Sequence, residues 1–165
     1  MEVSVRCAES ADEDRVIAII LATMETYGQW HPGWSVPSDA AERELLRLRD
    51  DDSATTWLVG VVDGRLAGVS RWGSGEPATL SLLMVHPHDW HLGVGGALHA
   101  QALAQMTQIG SMKARLTVPQ ANRRARGFYE RRGWRQTDAA SLEHPWLGLP
   151  MLEYTRALCA GSSGS

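Results

Sequence analysis

Residues 91–96 read His-Leu-Gly-Val-Gly-Gly and run straight into a helical pattern from Ala97 onward. Glycines at the start of a helix expose backbone N–H groups at the positive end of the helix dipole, and the missing side chains let a phosphate come close. No Gly-Lys-Ser/Thr follows, and the third glycine of a dinucleotide fingerprint would fall at Leu98, so neither familiar nucleotide loop fits. Glycines also permit tight strand-to-helix packing, so the stretch alone leaves both uses open. His31, His86, His88 and His144 have the side chain whose ordinary pKa, about 6.5, suits proton transfer near neutrality. The triplet His86, His88 and His91 has no fixed-spacing partner elsewhere, and Cys7 and Cys159 are too few and too scattered for a knuckle or a disulfide framework. No metal is expected.

The elements that must position these residues follow from periodicity. Val3, Val5 and Cys7 alternate as an edge strand; Ser10 and Glu13 have capping-box spacing ahead of Val16, Ile20, Met24 and Tyr27 at helical intervals. After the turn-rich segment 28–39, Ser38 is the expected N-cap of a helix marked by Ala41, Leu45 and Leu48 that ends near Asp50–Asp52. Residues 55–72 are two β-rich runs joined by Asp63-Gly64, a strong hairpin signal because a type I′ turn needs positive φ at both central positions. Residues 78–85 form a third run, stopped by His86-Pro87, and Val94, Leu98, Ala102, Met106 and Ile109 mark the apolar face of the next helix. Residues 113–118 give a strand, 120–134 a helix with Asn122 near its start and Gly133 past its end, and 151–158 a last strand. The expected fold is mixed α/β, a mostly antiparallel sheet of about seven strands flanked by about four helices.

At 165 residues the chain is expected to form a single domain over residues 1–158, with 159–165 as a flexible tail ending in Gly-Ser-Ser-Gly-Ser. A net charge of −3 argues against duplex nucleic acid as a partner. Apolar runs such as 57–62 and 82–85 are too short to cross a bilayer, and the start shows no basic stretch followed by an apolar one, so no membrane and a cytoplasmic location are expected.

Val85, Pro87, Gly93 and Gly95, followed after one more strand by Asn122, Ala125, Phe128, Tyr129, Gly133 and Trp134, carry a resemblance. Over residues 2–157 the chain resembles the GNAT superfamily of N-acetyltransferases, whose signature is a strand ending Val-x-Pro, a glycine loop opening a helix, a strand, and Asn-x-x-Ala-x-x-[Phe/Tyr]-Tyr-x-x-x-Gly-[Phe/Trp]. The resemblance implies a splayed pair of parallel strands at the coenzyme site and acetyl-CoA as acyl donor. It places the pyrophosphate on His91, Leu92, Gly93, Val94, Gly95 and Gly96, the pantetheine arm and the oxyanion along Met84 and Val85, and Asn122 beside the coenzyme. Tyr129 is then the acid that protonates the departing thiolate. Trp90 stands where the family has Gln or Arg, and Leu92 where it often has a basic residue, so binding leans on the backbone amides.

An aliphatic amine is mostly protonated near neutrality and must lose a proton before it attacks a thioester. The resemblance offers Glu76, near the start of the strand leading to Met84, as that base; the four histidines are the alternatives. Trp30, His31, Trp34 and Trp146 lie in the two segments where this superfamily builds its acceptor walls. An aromatic lining there suits a flat, apolar or cationic group; a plug at the end of the sheet or a homodimer contact is the other use. The expected function is acetyl transfer to the primary amine of a small molecule (amino acid, polyamine or antibiotic-like amine) by direct attack in a ternary complex. A protein N-terminal or lysine acetyltransferase is the alternative, and a non-catalytic acyl-CoA-binding module is disfavoured by the presence of Tyr129.

Overall fold

Alternating apolar residues build β1 (Val3–Cys7), and the Asp63-Gly64 turn joins β2 (Thr55–Val62) to β3 (Arg65–Gly73) with φ of 47° and 83°, as a type I′ hairpin requires. The remaining strands are β4 (Ala78–Val85), β5 (Lys113–Pro119), the two-residue β6 (Arg135–Gln136) and β7 (Leu142–Glu143), and β8 (Pro150–Ala157). The helices are α1 (Glu13–Glu25), α2 (Ala40–Arg49), α3 (Val94–Gln108) and α4 (Arg123–Glu130). The computed structural model describes residues 1–50, 52–140, 142–145 and 147–158; the expected tail at 159–165, with Cys159, lies outside them. Among the described residues no helix is long and apolar enough to cross a membrane.

The sheet runs β1-β2-β3-β4-β5-β8-β6, with β7 also on β8, and among the described residues every pairing is antiparallel except β4 with β5. That parallel pair is matched only at Ala78↔Ala114 and Thr79↔Arg115. The cause is visible on the other edge of β4. Arg71 faces Leu82 while Trp72 faces Leu80, so Ser81 is an extra residue, and a bulge of this kind bends its strand. Arg71 holds it there, donating from Nη1 to Ser81 Oγ at 2.9 Å, while that hydroxyl donates to the Arg71 carbonyl at 3.1 Å.

One face of the sheet carries α3, through Leu98, Ala102 and Met106 against Leu58, Val62 and Ala67; the other carries α1, through Val16, Ile19, Ile20 and Met24 against Val59 and Val69. Helix α3 lies unusually close to β2 and β3. A Cβ at Gly60 would stand 2.6 Å from Val94 Cγ1, and one at Gly68 would stand 2.9 Å from the same atom, so glycine is needed at both positions.

Three boundaries differ from the sequence expectation. The cap before α1 is Glu9 with Asp12, not Ser10 with Glu13, because Asp12 is drawn into a two-point ion pair with Arg6 (2.7 and 3.0 Å) and accepts the Glu9 amide. Helix α2 is preceded by Asp39, which pairs with Arg43, and not by Ser38. Ile109 caps α3 and is 54% exposed, outside the buried face.

Trp134, 1% exposed, donates its indole N–H to Nε2 of buried His99 at 2.9 Å. Burial, then Arg132 and Arg156, push the His99 imidazole from 6.5 down to about 4. The unfolded chain therefore binds an extra proton between those values, so stability is full above pH 6.5 and falls as pH drops toward 4. Denaturant titrations across that range should show the fall in wild type and a flatter profile in His99→Gln. Trp134→Ala should cost about 3–5 kcal/mol.

Candidate active site

Where the β4–β5 ladder ends, a cavity of about 1400 Å³ opens, lined by Leu80–Val85 on one side and Thr117–Pro119 on the other. Its walls are completed by the start of α3, by α4, by the turn after α1 and by α2.

At one end stands the glycine loop. The 3₁₀ turn Pro87–Asp89 leads to His91 and Gly93, both with positive φ (69° and 87°), and α3 begins at Val94. The first helical bond runs from Ala97 N to Gly93 O. The amides of Val94, Gly95 and Gly96 precede it, so they are the ones a helix start leaves for an anion. A Cβ on Gly93 would meet nothing within 4 Å, which is the open approach a ligand needs. The loop is anchored by Asp89, 2% exposed, in a two-point ion pair with Arg65 that holds its carboxyl below the usual range.

The sequence leaves this loop without a basic residue, and the structure supplies two from α4 and its end. The Trp90 indole donates to the Val85 carbonyl at 2.9 Å, which fixes the ring, and the Arg124 guanidinium lies 3.3 Å from its centroid. The Arg132 guanidinium lies 3.7 Å from the Phe128 centroid and beside Gly96, where a Cβ would come within 3.3 Å of Nη2. Stacking on a ring face holds a guanidinium in place without a carboxylate to neutralise it. Arg124 and Arg132 were not singled out from sequence, because only the fold brings α4 over the loop.

At the centre is Tyr129, 8% exposed, whose phenol is held well above its ordinary value by burial and by nearby Tyr27, against the opposing pull of Arg132. It stays protonated through the neutral range, the form an acid must have. Asn122 caps α4, its side chain accepting from Ala125 N at 3.2 Å, which orients the helix that carries Tyr129. Met84, Val85, His91, Gly93, Val94, Gly95, Gly96 and Asn122 all line the cavity; Leu92 does not, and packs against the core.

The other end holds Trp30 and His31 on the wall, with Tyr27, Glu44 and Arg47. Trp34 is not on that wall. Its indole donates to Met24 O at 2.8 Å and its ring packs 5.4 Å from that of Tyr27, so it supports the turn from behind. Trp146 lies outside the described residues. Glu76 is not brought to the site: it is exposed at the opposite end of β4, where its carboxylate accepts the Met112 amide at 2.9 Å. Glu44 is the carboxylate that sequence reasoning missed. It is 2% exposed, and burial raises its pKa against the opposing Arg47 and Arg71. The signal was present as an acid four residues after Ala40 and four before Leu48, on the stripe that faces the core.

Residues 23–153 match the family model for an acetyltransferase (GNAT) domain. A stretch of 71 residues, 42% of this chain, is 42% identical to mycothiol acetyltransferase of Sanguibacter keddieii and spans 22% of that protein. The fold is similar to PaiA N-acetyltransferase of Thermoplasma acidophilum, solved in complex with coenzyme A (TM-score 0.76, 19% identity, 95% of this chain and 99% of that one). It is also similar to the ribosomal-protein-S18-alanine N-acetyltransferase of Escherichia coli (TM-score 0.70, 15% identity, 99% of each chain).

If the Trp90–Arg124 stack serves the anion end, Trp90→Ala and Arg124→Ala should each weaken coenzyme A binding about tenfold, or about 1.4 kcal/mol. The double variant should lose little more, because the two residues act as one unit. Calorimetry on the four proteins checks this; additive losses, or none, would count against the stack.

Proposed function

The chain belongs to the GNAT acetyltransferase family, and from that premise we propose that it moves an acetyl group from acetyl-CoA to the primary amine of a small molecule, by direct attack in a ternary complex. One observation carries this reading: a single cavity joins the amides at the start of α3, the buried phenol of Tyr129 and an end that holds a carboxylate. The residues present suit the coenzyme. The amides of Val94, Gly95 and Gly96, with Arg124 and Arg132 beside them, would take the pyrophosphate. The unpaired edges of β4 and β5 would take the amide groups of the pantetheine arm as an added strand does. What acetyl-CoA supplies is an activated thioester carbonyl.

The chain's own residues then have distinct tasks. A backbone N–H at Met84 or Val85, on the splayed part of β4, faces the oxyanion that develops on the carbonyl. Tyr129 gives its proton to the departing sulfur, and the nitrogen's surplus proton returns the tyrosine to its neutral form. Burial excludes water from this exchange. Among the described residues the acidic side chains on the cavity wall are Glu44 and Asp89, and Asp89 is tied to Arg65. Such a wall offers no acidic track for a basic peptide, which favours a small amine over a protein lysine.

Tyr129→Phe should keep coenzyme A affinity and lower turnover by about 10²-fold or more, the scale for loss of a positioned proton donor. Thiol release from acetyl-CoA, followed over a panel of amines, measures it. Undiminished turnover would remove Tyr129 from the role, and release with no amine in the panel, beside intact coenzyme binding, would overturn transfer to a small amine.

A further inference from the structure

Helix α2 turns Ala40 and Glu44 inward, and Glu44 ends up 2% exposed on the wall of the cavity. Its Oε2 is ion-paired with the Arg47 guanidinium at 3.6 Å, a separation too long for a close hydrogen bond, and accepts none from any other described residue. Arg47 is partly engaged elsewhere, donating from Nη2 to the Ser81 carbonyl at 3.3 Å. A buried carboxylate oxygen without a donor is costly, and the cost is relieved when a donor arrives from the cavity. An ammonium group is such a donor.

Resting on the reading of this cavity as the transfer site, we propose that Glu44 receives the acceptor's ammonium group and takes its proton, and that the acceptor is a monoamine with an apolar or aromatic body. The groups facing Glu44 define the pocket. From its own helix comes Arg47, from β3 Arg71, and from the turn after α1 Tyr27, whose phenol is pushed up to about 12 by burial and then by Glu44. His144, held low by burial and by Arg47, lies on the β7–β8 side. Glu44, Tyr27 and Tyr129 line one cavity, and Tyr27 lies within electrostatic reach of both the proposed base and the acid. A second positive charge near the amine would meet Arg47, whereas an apolar body would meet the ring of Trp30, which packs 4.9 Å from that of Tyr27.

The protons balance. The ammonium gives one proton to Glu44, and the freed lone pair forms the C–N bond at the thioester carbonyl. The C–S bond breaks and sulfur leaves with the electron pair, taking a proton from Tyr129. The nitrogen's remaining surplus proton restores Tyr129, and Glu44 releases its own to solvent. Burial raises Glu44 toward neutrality, which makes it a better base than an exposed carboxylate.

Glu44→Gln keeps the shape and removes the charge. It should retain coenzyme A affinity within about twofold, weaken calorimetric binding of benzylamine to the coenzyme A complex at least tenfold, and lower kcat/KM for benzylamine by about 10²-fold. Glu44→Asp should recover part of both losses. Wild type should prefer benzylamine to spermidine by at least tenfold in kcat/KM. The pH profile separates a base from a counter-ion for Arg47 and Arg71. Wild-type kcat/KM should fall on the acid side as Glu44 is protonated; Arg47→Gln removes a cation that lowers Glu44, so the fall should begin at higher pH. That second variant also serves if Glu44→Gln does not fold. An unmoved acid limb in Arg47→Gln, undiminished benzylamine turnover in Glu44→Gln, or a preference for spermidine would overturn the proposal while leaving acetyl transfer intact. Absence of transfer to any amine by wild type would overturn both.

Discussion

A bulge at Ser81, clamped between its own hydroxyl and the Arg71 side chain and carbonyl, is the constraint on which the rest of the molecule depends. Without it β4 would continue beside β5 and the sheet would be closed, because both strands are long enough to pair well beyond Thr79 and Arg115. With it, two strand edges carry backbone donors and acceptors into a cavity instead of into each other. Holding such an opening in a folded domain is expensive, since buried backbone groups normally find partners. The cavity is therefore a place made for a ligand that can itself pair with a strand edge.

The two ends of that cavity handle charge differently. At the glycine loop the cations Arg124 and Arg132 rest on the faces of Trp90 and Phe128, so their charge is positioned but not spent on a carboxylate. At the far end, Arg71 and Arg47 both reach the Ser81 bulge, through its hydroxyl and its carbonyl, and Glu44 stands close enough to offset them. The device that opens the sheet and the carboxylate at the far end of the cavity thus belong to one network. Asp and Gln replacements of Glu44, similar in shape, are therefore the informative ones, because they leave the Arg71 and Arg47 contacts to Ser81 in place.

Much of the scaffold was legible because it rests on local rules. The positive φ values at Asp63 and Gly64, the Asn122 cap and the helix start at the glycine loop each follow from residue types within a few positions. The lining of the cavity was legible where the chain passes it in one continuous stretch, as at Met84, Val85 and 93–96. It was illegible where distant segments converge. Glu44 sits among Arg43, Arg47 and Arg49 and looks like part of a solvated charged helix; only its burial against the sheet distinguishes it. Trp30 and Trp34 share one turn, and a rotation of the chain between them sends one to the wall and the other behind Tyr27. Glu76 precedes β4 by two residues, at the end away from the cavity, and only the packing of α4 over the loop brings Arg124 onto Trp90.

Hydrogen exchange of the full chain with and without saturating coenzyme A tests the central claim most directly, that the opening between β4 and β5 and the start of α3 together form the coenzyme site. Slowed exchange should appear in peptides covering residues 82–97 and 117–126, with the β2–β3 turn at 63–64 unchanged. Binding that leaves both of those segments at their free rates, or protects the β1–β2 edge instead, would contradict the account.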